Sequence, residues 1–379
     1  MELNDILKFA LSKGASDVHL KVGLTPVLRI NGTLVPIKDI PKLTPEETKR
    51  MAMGIMSDRQ KERFLEFKEL DMAYGSSGLG RFRVNVFMQR DNLGMVLRTI
   101  PTEPPALETL GLPKVLSKIA MEHRGMVLVT GTTGSGKSTT LAAMIGYINT
   151  HRTTHIITIE DPIEFLHRDR RSIINQREVG QDTTGFAKAL RAALRQDPDV
   201  ILVGEMRDLE TIGIALTAAE TGHLVFSTLH TLDAMETITR IISAFPLDQE
   251  QAIRNQLSGV IKAVISQRLL PRADRKGRVV AAEVLVSTAR IRECVSDPAK
   301  TIEIREAMAE GVVTYGMQTF DQSLMGLLKS GLITLEEALN NATNPGDFEL
   351  RYKGISATSD ATFDDFMAEG EAEKKKLPF

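Results

Sequence analysis

The stretch VTGTTGSGKSTTLAAMIGYI, Val129 to Ile148, decides how the rest of this chain is interpreted. It begins inside the apolar run MVLVT and fits the pattern G-x-x-x-x-G-K-[ST] from Gly131 to Ser138. A strand, a glycine-rich loop and a helix in this order are what a phosphate-binding loop requires. Glycine lacks the Cβ atom that would keep backbone N–H groups away from a phosphate chain, and a helix N-terminus attracts anions. The stretch therefore predicts a nucleotide-binding loop.

Two side chains of the loop have predicted roles of their own. Lys137 would reach the β- and γ-phosphates, and the Ser138 hydroxyl would be a ligand of Mg²⁺. The alternative is a glycine-rich turn without a ligand, which the flanking strand and helix make the weaker interpretation. The predicted nucleotide contacts are Gly131, Thr132, Thr133, Gly134, Ser135, Gly136, Lys137, Ser138 and Thr139.

The bulk properties exclude several classes of protein. With 379 residues the chain has room for two domains and extensions. Its formal charge of -2 produces no field that favours nucleic acid or a membrane surface. A single cysteine, Cys294, rules out an internal disulfide framework and a cysteine-rich zinc site. The start MELNDILKFALSKG has the spacing of an amphipathic helix, not of a signal peptide, and no run is long enough to span a bilayer. We expect a cytoplasmic protein without membrane insertion.

The first hundred residues predict a small α+β domain. Asn31-Gly32 separates two apolar runs and predicts a hairpin turn. Thr44, Pro45 and Glu47 form a capping box that predicts a helix start. In GRFRVNVFMQ, one face of a strand carries Phe82, Val84, Val86 and Met88, and the other carries Arg81, Arg83 and Asn85. We predict a domain over residues 1–100 and a proline-rich linker over 101–112.

From residue 113 onward strands and helices alternate, which predicts an α/β fold with a mostly parallel sheet. After Asp233 the pattern becomes helical, with one strand predicted at RVVAAEVLV. We predict this second domain over 113–345, with a helical C-terminal part, and a polar, disordered tail over 346–379. Ligands of such sheets bind at the carboxyl ends of the strands. The polar residues that follow each strand are therefore expected to converge there.

Three of these strand ends carry candidate catalytic residues. TIEDPIEF supplies Glu160, Asp161 and Glu164, for which we expect a metal-binding or water-activating role over a merely solvated loop. Glu205 follows the apolar run VILV and is expected to hold Mg²⁺ through water or to polarise the attacking water. STLHT ends the next strand and supplies three expected donors to a γ-phosphate, Ser227, Thr228 and His230. For His230 a purely structural role is an equal alternative.

The arginines of the first domain are candidates for neutralising transition-state charge. Arg81, Arg83 and Arg98 lie on strands that otherwise have little basic character. Their alternative is an exposed strand face. Many NTPases present an arginine to the γ-phosphate from another domain or subunit.

Together these motifs resemble a known superfamily. GTTGSGKSTT, TIEDPIEF, VGEMRDLETIGIALTAAETGH and STLHT are similar to the Walker A, Asp box, Walker B and His box of the secretion ATPases. AIRNQLSGVIKAVISQRLLPR and the start ILKFALSKGASDVHL resemble the type IV pilus retraction ATPases within them, the PilT and PilU group. The resemblance extends to about Ala342 and leaves the tail unmatched.

The resemblance implies a fold and a function for the chain. It implies a homo-hexameric ring motor with a PAS-like first domain and a RecA-like P-loop ATPase domain, which uses ATP and Mg²⁺ to power pilus retraction and twitching motility. Glu164 and Glu205 would serve hydrolysis, and Arg83 and Arg98 would contact phosphates in the same or a neighbouring subunit. The implied partners are an inner-membrane platform protein at the pilus base and a paralogous retraction ATPase. The implied location is the cytoplasmic face of the inner membrane.

Three other functions compete with retraction. A pilus assembly or type II secretion ATPase usually has a further N-terminal domain and often a tetracysteine zinc insertion, whereas here strand signals begin by Ser16. A RecA-like nucleic-acid motor would need a basic stripe or stacking aromatic residues, and this chain has no Trp and four Tyr. A nucleotide-dependent adaptor without hydrolysis would not need the full catalytic set that is present.

Overall fold

The computed structural model describes residues 2–76, 78–101 and 103–355 and divides the chain into two compact units. Unit 1 comprises Met1–Glu103 and the short segment Glu164–His167. Unit 2 comprises Pro104–Ile163 and the chain from Arg168 onward. The boundary between the units therefore falls near the start of the linker predicted over 101–112. The rest of the predicted linker belongs to unit 2, because Leu107 in a 3₁₀ turn is buried in the core of that unit.

Unit 1 is a six-stranded antiparallel sheet with helices on one face. The strand order is β3-β2-β1-β6-β5-β4. Alternate residues point to the helices, so Phe82, Val84 and Val86 are fully buried, whereas the predicted fourth member, Met88, is 36% exposed near the strand end. Its elements are α1 (Leu3–Ser12), β1 (Asp17–Lys21), β2 (Val27–Ile30), β3 (Thr33–Pro36), α2 (Pro45–Ile55), α3 (Asp58–Phe67), β4 (Glu69–Ser76), β5 (Gly80–Gln89) and β6 (Asn92–Ile100).

Local sequence signals in unit 1 lie where they were predicted. Asn31 and Gly32 both have positive φ, 49° and 83°, and connect β2 to β3. This is the geometry of a two-residue type I′ hairpin. The Thr44 hydroxyl accepts the Glu47 N–H, and the Glu47 carboxylate accepts the Thr44 N–H, which completes the capping box of α2.

Unit 2 is a seven-stranded sheet in the order β13-β12-β7-β11-β10-β8-β9. Every neighbouring pair is parallel except β12 with β13, which confirms the mostly parallel sheet. The strands are β7 (Gly125–Thr130), β8 (His155–Glu160), β9 (Ile173–Glu178), β10 (Val200–Val203), β11 (Leu224–Leu229), β12 (Ile261–Pro271) and β13 (Arg278–Val286).

Helices cover both faces of this sheet. α4 and α5 pack on one face with Val127, Val129 and Phe226, and α6 to α11 pack on the other with Met126 and Leu128. α13 to α15 add a smaller cluster. The helices are α4 (Val115–Ala120), α5 (Lys137–His151), α6 (Phe186–Ala193), α7 (Leu209–Glu220), α8 (Ala234–Ile242), α9 (Glu250–Val260), α10 (Ala289–Ser296), α11 (Ile304–Glu310), α12 (Val312–Tyr315), α13 (Phe320–Lys329), α14 (Leu335–Asn341) and α15 (Pro345–Tyr352).

Two strands of unit 2 were not predicted. β12 lies in a region predicted to be helical, because IKAVISQRLL is mainly apolar without strict alternation and fits a buried helix as well as a buried strand. β9 is a polar edge strand. Its outward N–H groups at Ile174 and Glu178 donate to the carboxylates of Asp169 and Asp182, which protects the open edge from pairing with another strand.

The predicted start of the tail is wrong. Residues 346–352 belong to α15, where Asn344 caps the helix, Pro345 occupies its first turn and Phe348 is buried. One apolar anchor and a capped start are enough to dock a short polar helix. The rest of the predicted tail, from residue 356, lies outside the described residues. Within the described part of the chain, no helix is long and apolar enough to cross a bilayer.

Candidate active site

The glycine loop follows β7 and leads into α5, as predicted. Gly131 has φ of 135°, and a Cβ atom at this position would lie 2.4 Å from the backbone oxygen of Gln267 on β12. No side chain fits there without a shift of the backbone. Gly136 caps α5 with φ of 96°. The glycine positions of the loop thus have backbone conformations that favour glycine, and the loop leads into a helix N-terminus, as a phosphate chain requires.

Lys137 is the buried cation of the loop. It is 9% exposed, and its Nζ donates to the carbonyl oxygens of Gly131 at 2.7 Å and Thr132 at 3.0 Å. The ammonium group is therefore held inside the loop, and Ser138 follows it in the first turn of α5. A buried ammonium beside backbone N–H groups at a helix N-terminus attracts negative charge, so this cluster suits an anionic ligand.

A buried polar layer beneath the loop was not predicted. Gln267 is 2% exposed, and its Nε2 donates to the hydroxyl of Thr140 on α5 at 2.9 Å. The hydroxyls of Thr130 and Ser266 bond at 2.9 Å between β7 and β12. These pairs are more than a hundred residues apart in sequence, so the only available signal was the polar pair Ser266-Gln267 inside an apolar run.

Glu205 lies at the end of β10 next to two basic side chains. Its side chain is 15% exposed, with Oε1 at 2.6 Å from the Arg207 Nε and Oε2 at 3.5 Å from the His230 Nε2. The structure thus brings together two predicted residues, Glu205 and His230, from neighbouring strand ends. Arg207 was missed, although it lies two residues after Glu205 in GEMRD.

Other polar residues at the strand ends brace the backbone. The Ser227 and Thr228 hydroxyls donate to the carbonyl oxygens of Val203 and Gly204, at 2.8 and 2.6 Å. The Glu160 carboxylate, by contrast, bonds side chains: it accepts from the Thr158 hydroxyl at 2.7 Å and the Gln176 amide at 3.2 Å. Parallel strands leave their terminal carbonyls without ladder partners, and these hydroxyls satisfy them. Among the described residues no group of three or more His, Cys, Asp or Glu forms a metal site.

Glu164 lies on the loop after β8, where the chain passes from one unit to the other. Ile163 belongs to unit 2, whereas Glu164–His167 belongs to unit 1. Glu164 is exposed, and two residues later the Leu166 N–H donates to the Pro101 oxygen of unit 1. Burial lowers the pKa of His167 in the same segment to about 4. Glu164 therefore has an accessible carboxylate on a loop whose backbone is hydrogen-bonded within unit 1 two residues later.

The arginines of unit 1 form a row across the sheet. Arg83 on β5 lies directly opposite Arg98 on β6, and Arg98 lies opposite Asp17 on β1. Arg29 on β2 continues the row on the other side of Asp17. The Arg98 Nε donates to Asp17 Oδ1 at 2.9 Å, and the Arg29 Nε lies 3.8 Å from Asp17 Oδ2. Two of the three predicted arginines, Arg83 and Arg98, are thus neighbours on the polar face because of their strand register, and the third, Arg81, lies opposite Ile100.

Asp17 was not predicted, and it anchors this row. It is 5% exposed. Burial alone would raise the pKa of Asp17, but hydrogen bonds from Arg98 and Ser16 and the charge of Arg98 hold that pKa below its usual value. The buried carboxylate is therefore ionised and balances part of the positive charge of the row.

Comparison with known proteins identifies the family. The family described as type II/IV secretion system protein matches residues 1–339 of this chain. The chain belongs to this family. It is similar to the type IV pilus retraction ATPase PilT of Pseudomonas aeruginosa, with 47% identity over 348 residues, 92% of this chain and 100% of that protein. It is also 49% identical over 320 residues to a twitching motility protein of Neisseria gonorrhoeae, covering 84% and 85% of the two chains.

A solved structure supports the same assignment. The crystal structure of the pilus retraction motor PilT with bound ADP matches this fold with a TM-score of 0.85 and 48% identity, covering 92% of this chain and 99% of that one. The predicted family of secretion ATPases and the predicted α/β fold class, a RecA-like ATPase unit after a smaller α+β unit, are confirmed.

Proposed function

We propose that this protein is an ATP-hydrolysing motor that powers type IV pilus retraction, and that it works as a homo-hexamer. The observation that carries the proposal is the similarity to PilT, which runs through both units at 47% identity and covers the whole of that protein. A nucleotide-binding unit alone would account for ATP hydrolysis. The presence of unit 1 as well supports a motor, because work requires a second body whose position ATP biases.

Residues 131–139 of unit 2 would hold the phosphates of ATP. Backbone N–H groups of the glycine loop donate to the phosphate oxygens, and Lys137 exchanges its bonds with loop carbonyls for a bond to the terminal phosphates. The Ser138 hydroxyl, and Glu205 through water, provide the oxygen ligands that Mg²⁺ prefers. When bound, Mg²⁺ would neutralise negative charge that develops on the phosphates.

The geometry favours different roles for the two glutamates. Glu205 is largely buried, and its Oε1 is ion-paired with Arg207, so its carboxylate is held in place. Glu164 is exposed. We assign the orientation and deprotonation of the attacking water to Glu164, and the support of the metal ion to Glu205, with His230 beside it as a donor toward the terminal phosphate. Arg83 and Arg98 would stabilise the charge of the transferred phosphoryl group.

Partners and location follow from the motor function. The proposed partners are the inner-membrane platform protein at the pilus base and a paralogous retraction ATPase. The motor would act at the cytoplasmic face of the inner membrane. Since a ring couples each ATP-driven closure to its neighbour, turnover per chain should rise with protein concentration as hexamers form.

Complementation tests the proposal directly. In a Pseudomonas aeruginosa strain that lacks PilT, the chain should restore twitching, and Glu164→Gln should not, although it still binds Mg-ATP. Purified protein should hydrolyse ATP without nucleic acid. Restored motility by an inactive variant, or turnover that depends on single-stranded DNA, would contradict the retraction motor.

A further inference from the structure

The loop that carries Glu164 is held by a buried carboxylate that no motif of the sequence singled out. Glu178 ends the edge strand β9 and lies opposite Glu160, the last residue of β8. It is 3% exposed, and its Oε2 accepts the backbone N–H of Ile163 at 3.2 Å. Ile163 is itself 1% exposed, so water cannot replace this bond. The residue directly after Ile163 is Glu164.

Glu178 is itself held in place from the other side. Its backbone N–H donates to the Asp182 carboxylate at 2.8 Å, and its carbonyl oxygen accepts the Asp182 N–H at 2.8 Å. The Val179 N–H donates to the Glu160 oxygen, which continues the β8–β9 ladder past the strand ends. The Glu178 carboxylate is therefore presented to the loop from a fixed backbone, and little conformational entropy is lost in making the bond.

We propose that Glu178 is a positioning residue for ATP hydrolysis, whose buried carboxylate fixes the backbone from which Glu164 reaches the attacking water. The inference rests on the role proposed above for Glu164. Glu178 does not touch the nucleotide. It acts through the Ile163 N–H, because the anchored peptide determines where the next Cα–Cβ bond points. Misplacement of a catalytic group by about 1 Å costs on the order of a hundredfold in rate.

Turnover and nucleotide affinity separate this role from a merely structural one. Glu178→Ala should lower kcat roughly tenfold to a hundredfold and leave the Kd for a fluorescent ADP analogue within about twofold. Glu178→Met fills the same volume without an acceptor and should match Glu178→Ala, which keeps the test valid if the smaller side chain destabilises the fold. Glu178→Gln retains an oxygen that accepts the Ile163 N–H and should restore most of the turnover.

The control is a carboxylate that bonds the other end of β8. Asp199 accepts the N–H of His155 at 2.8 Å, at the start of β8, just as Glu178 accepts the N–H beyond its end. Asp199→Ala removes a backbone-to-carboxylate bond at an exposed position, far from the carboxyl ends of the strands. Its kcat should equal that of the unmodified protein.

A double-variant cycle decides whether Glu178 acts through Glu164. Glu164→Gln combined with Glu178→Ala should be no slower than Glu164→Gln alone, because a lost carboxylate cannot be misplaced. Unchanged kcat in Glu178→Ala and Glu178→Met, failure of Glu178→Gln to restore turnover, or multiplicative losses in the double variant would each overturn the inference. If Glu164→Gln alone retains full turnover, the proposed role of Glu164 is wrong. If Glu164→Gln is inactive but Glu178→Ala is fully active, the role of Glu164 stands and only the role of Glu178 is wrong.

Discussion

The two units carry their candidate functional residues in different ways. In unit 2 these residues follow strands in short consecutive stretches, such as Gly131 to Ser138. In unit 1 the candidate arginines Arg83 and Arg98 lie side by side on neighbouring strands, in a row that Asp17 and Arg29 continue. A parallel sheet gathers chemistry at its carboxyl edge through loops, whereas an antiparallel sheet gathers it through register. Local motifs therefore reveal the first kind of site and leave the second scattered in the sequence.

The electrostatic cost also differs between the two sites. Lys137 is held by neutral carbonyls inside the glycine loop. Arg83 and Arg98, by contrast, face each other directly, and like charges in opposed positions destabilise a sheet. Asp17 offsets this repulsion from one side. An arrangement that costs folding free energy is expected where a positive surface is needed, which supports an anionic ligand for this face.

Lys137→Ala should have the largest effect of any single change. It removes the buried ammonium from the glycine loop, so ATPase activity should fall to background while the chain stays folded. The measurement is phosphate release together with thermal unfolding. Lys188→Ala on the exposed surface of α6 is the matched control and should retain full activity. Undiminished turnover in Lys137→Ala would remove the basis for the site in unit 2.

Alanine substitutions in the arginine row of unit 1 should lower ATPase activity less than Lys137→Ala, and by unequal amounts. Arg83→Ala and Arg98→Ala should each lower kcat roughly tenfold to a hundredfold and change nucleotide affinity less, because an arginine that meets developing charge acts mainly in the transition state. Steady-state kinetics and a nucleotide titration measure the two effects separately.

Arg29→Ala is the internal control for this row. Arg29 shares Asp17 with Arg98 but lies at the far end, on β2. Arg29→Ala should therefore leave kcat unchanged. Equal losses for all three variants would mean that the row stabilises unit 1 and takes no part in hydrolysis.

The same contrast explains what the sequence could and could not predict. The hairpin at Asn31-Gly32, the capping box at Thr44 and the helix after Gly136 depend on neighbouring residues, and all were predicted. β12 and the bond from Gln267 to Thr140 depend on partners far away in the chain. Asp17 and Glu178 were missed for the same reason, since each becomes informative only when strand register places it beside a predicted residue.

Two titratable groups with shifted pKa values should give the units opposite pH dependence. Burial raises the pKa of Glu283 on β13 to about 7, with Asp233 raising it further and Arg305 and Arg268 opposing. Between about pH 4.5 and 7 the folded state keeps a proton that the unfolded state releases, so the stability of unit 2 falls as pH rises. His167 in unit 1 has its pKa lowered to about 4, so between about pH 4 and 6.5 the stability of unit 1 falls as pH falls.

Glu283→Gln separates these two contributions. The amide keeps an acceptor for the Ala234 N–H and cannot ionise. In this variant the midpoint temperature for the unfolding of unit 2 should therefore no longer decrease between pH 4.5 and 7, a difference of a few degrees from the unmodified protein. Calorimetry from pH 4.5 to 8 measures this, with His167→Gln as the counterpart for unit 1. An unchanged pH profile in Glu283→Gln would mean that Glu283 is ionised in the folded protein.

The smallest expected difference concerns one motif in two settings. Thr44 and Thr319 each form a capping box, with Glu47 in unit 1 and Gln322 in unit 2. The first box is exposed to water and the second is buried. Thr44→Ala should therefore cost about 0.5 to 1 kcal/mol, because water replaces the lost acceptor, and Thr319→Ala about 1 to 2 kcal/mol, because the Gln322 N–H is left without one.

Hydrogen exchange on peptides that cover α2 and α13 measures both changes separately, since each reports the opening of its own helix. Thr44→Ser and Thr319→Ser keep the hydroxyl acceptor and should restore most of the protection in both helices. Equal loss of protection in the two alanine variants would show that burial does not add to the cost of losing this cap. A larger loss at α2 would instead mean that unit 1 depends on its local sequence signals for stability as well as for its helix boundaries. In that case the cap would contribute more to the stability of α2 than to that of α13, which is held mainly by packing.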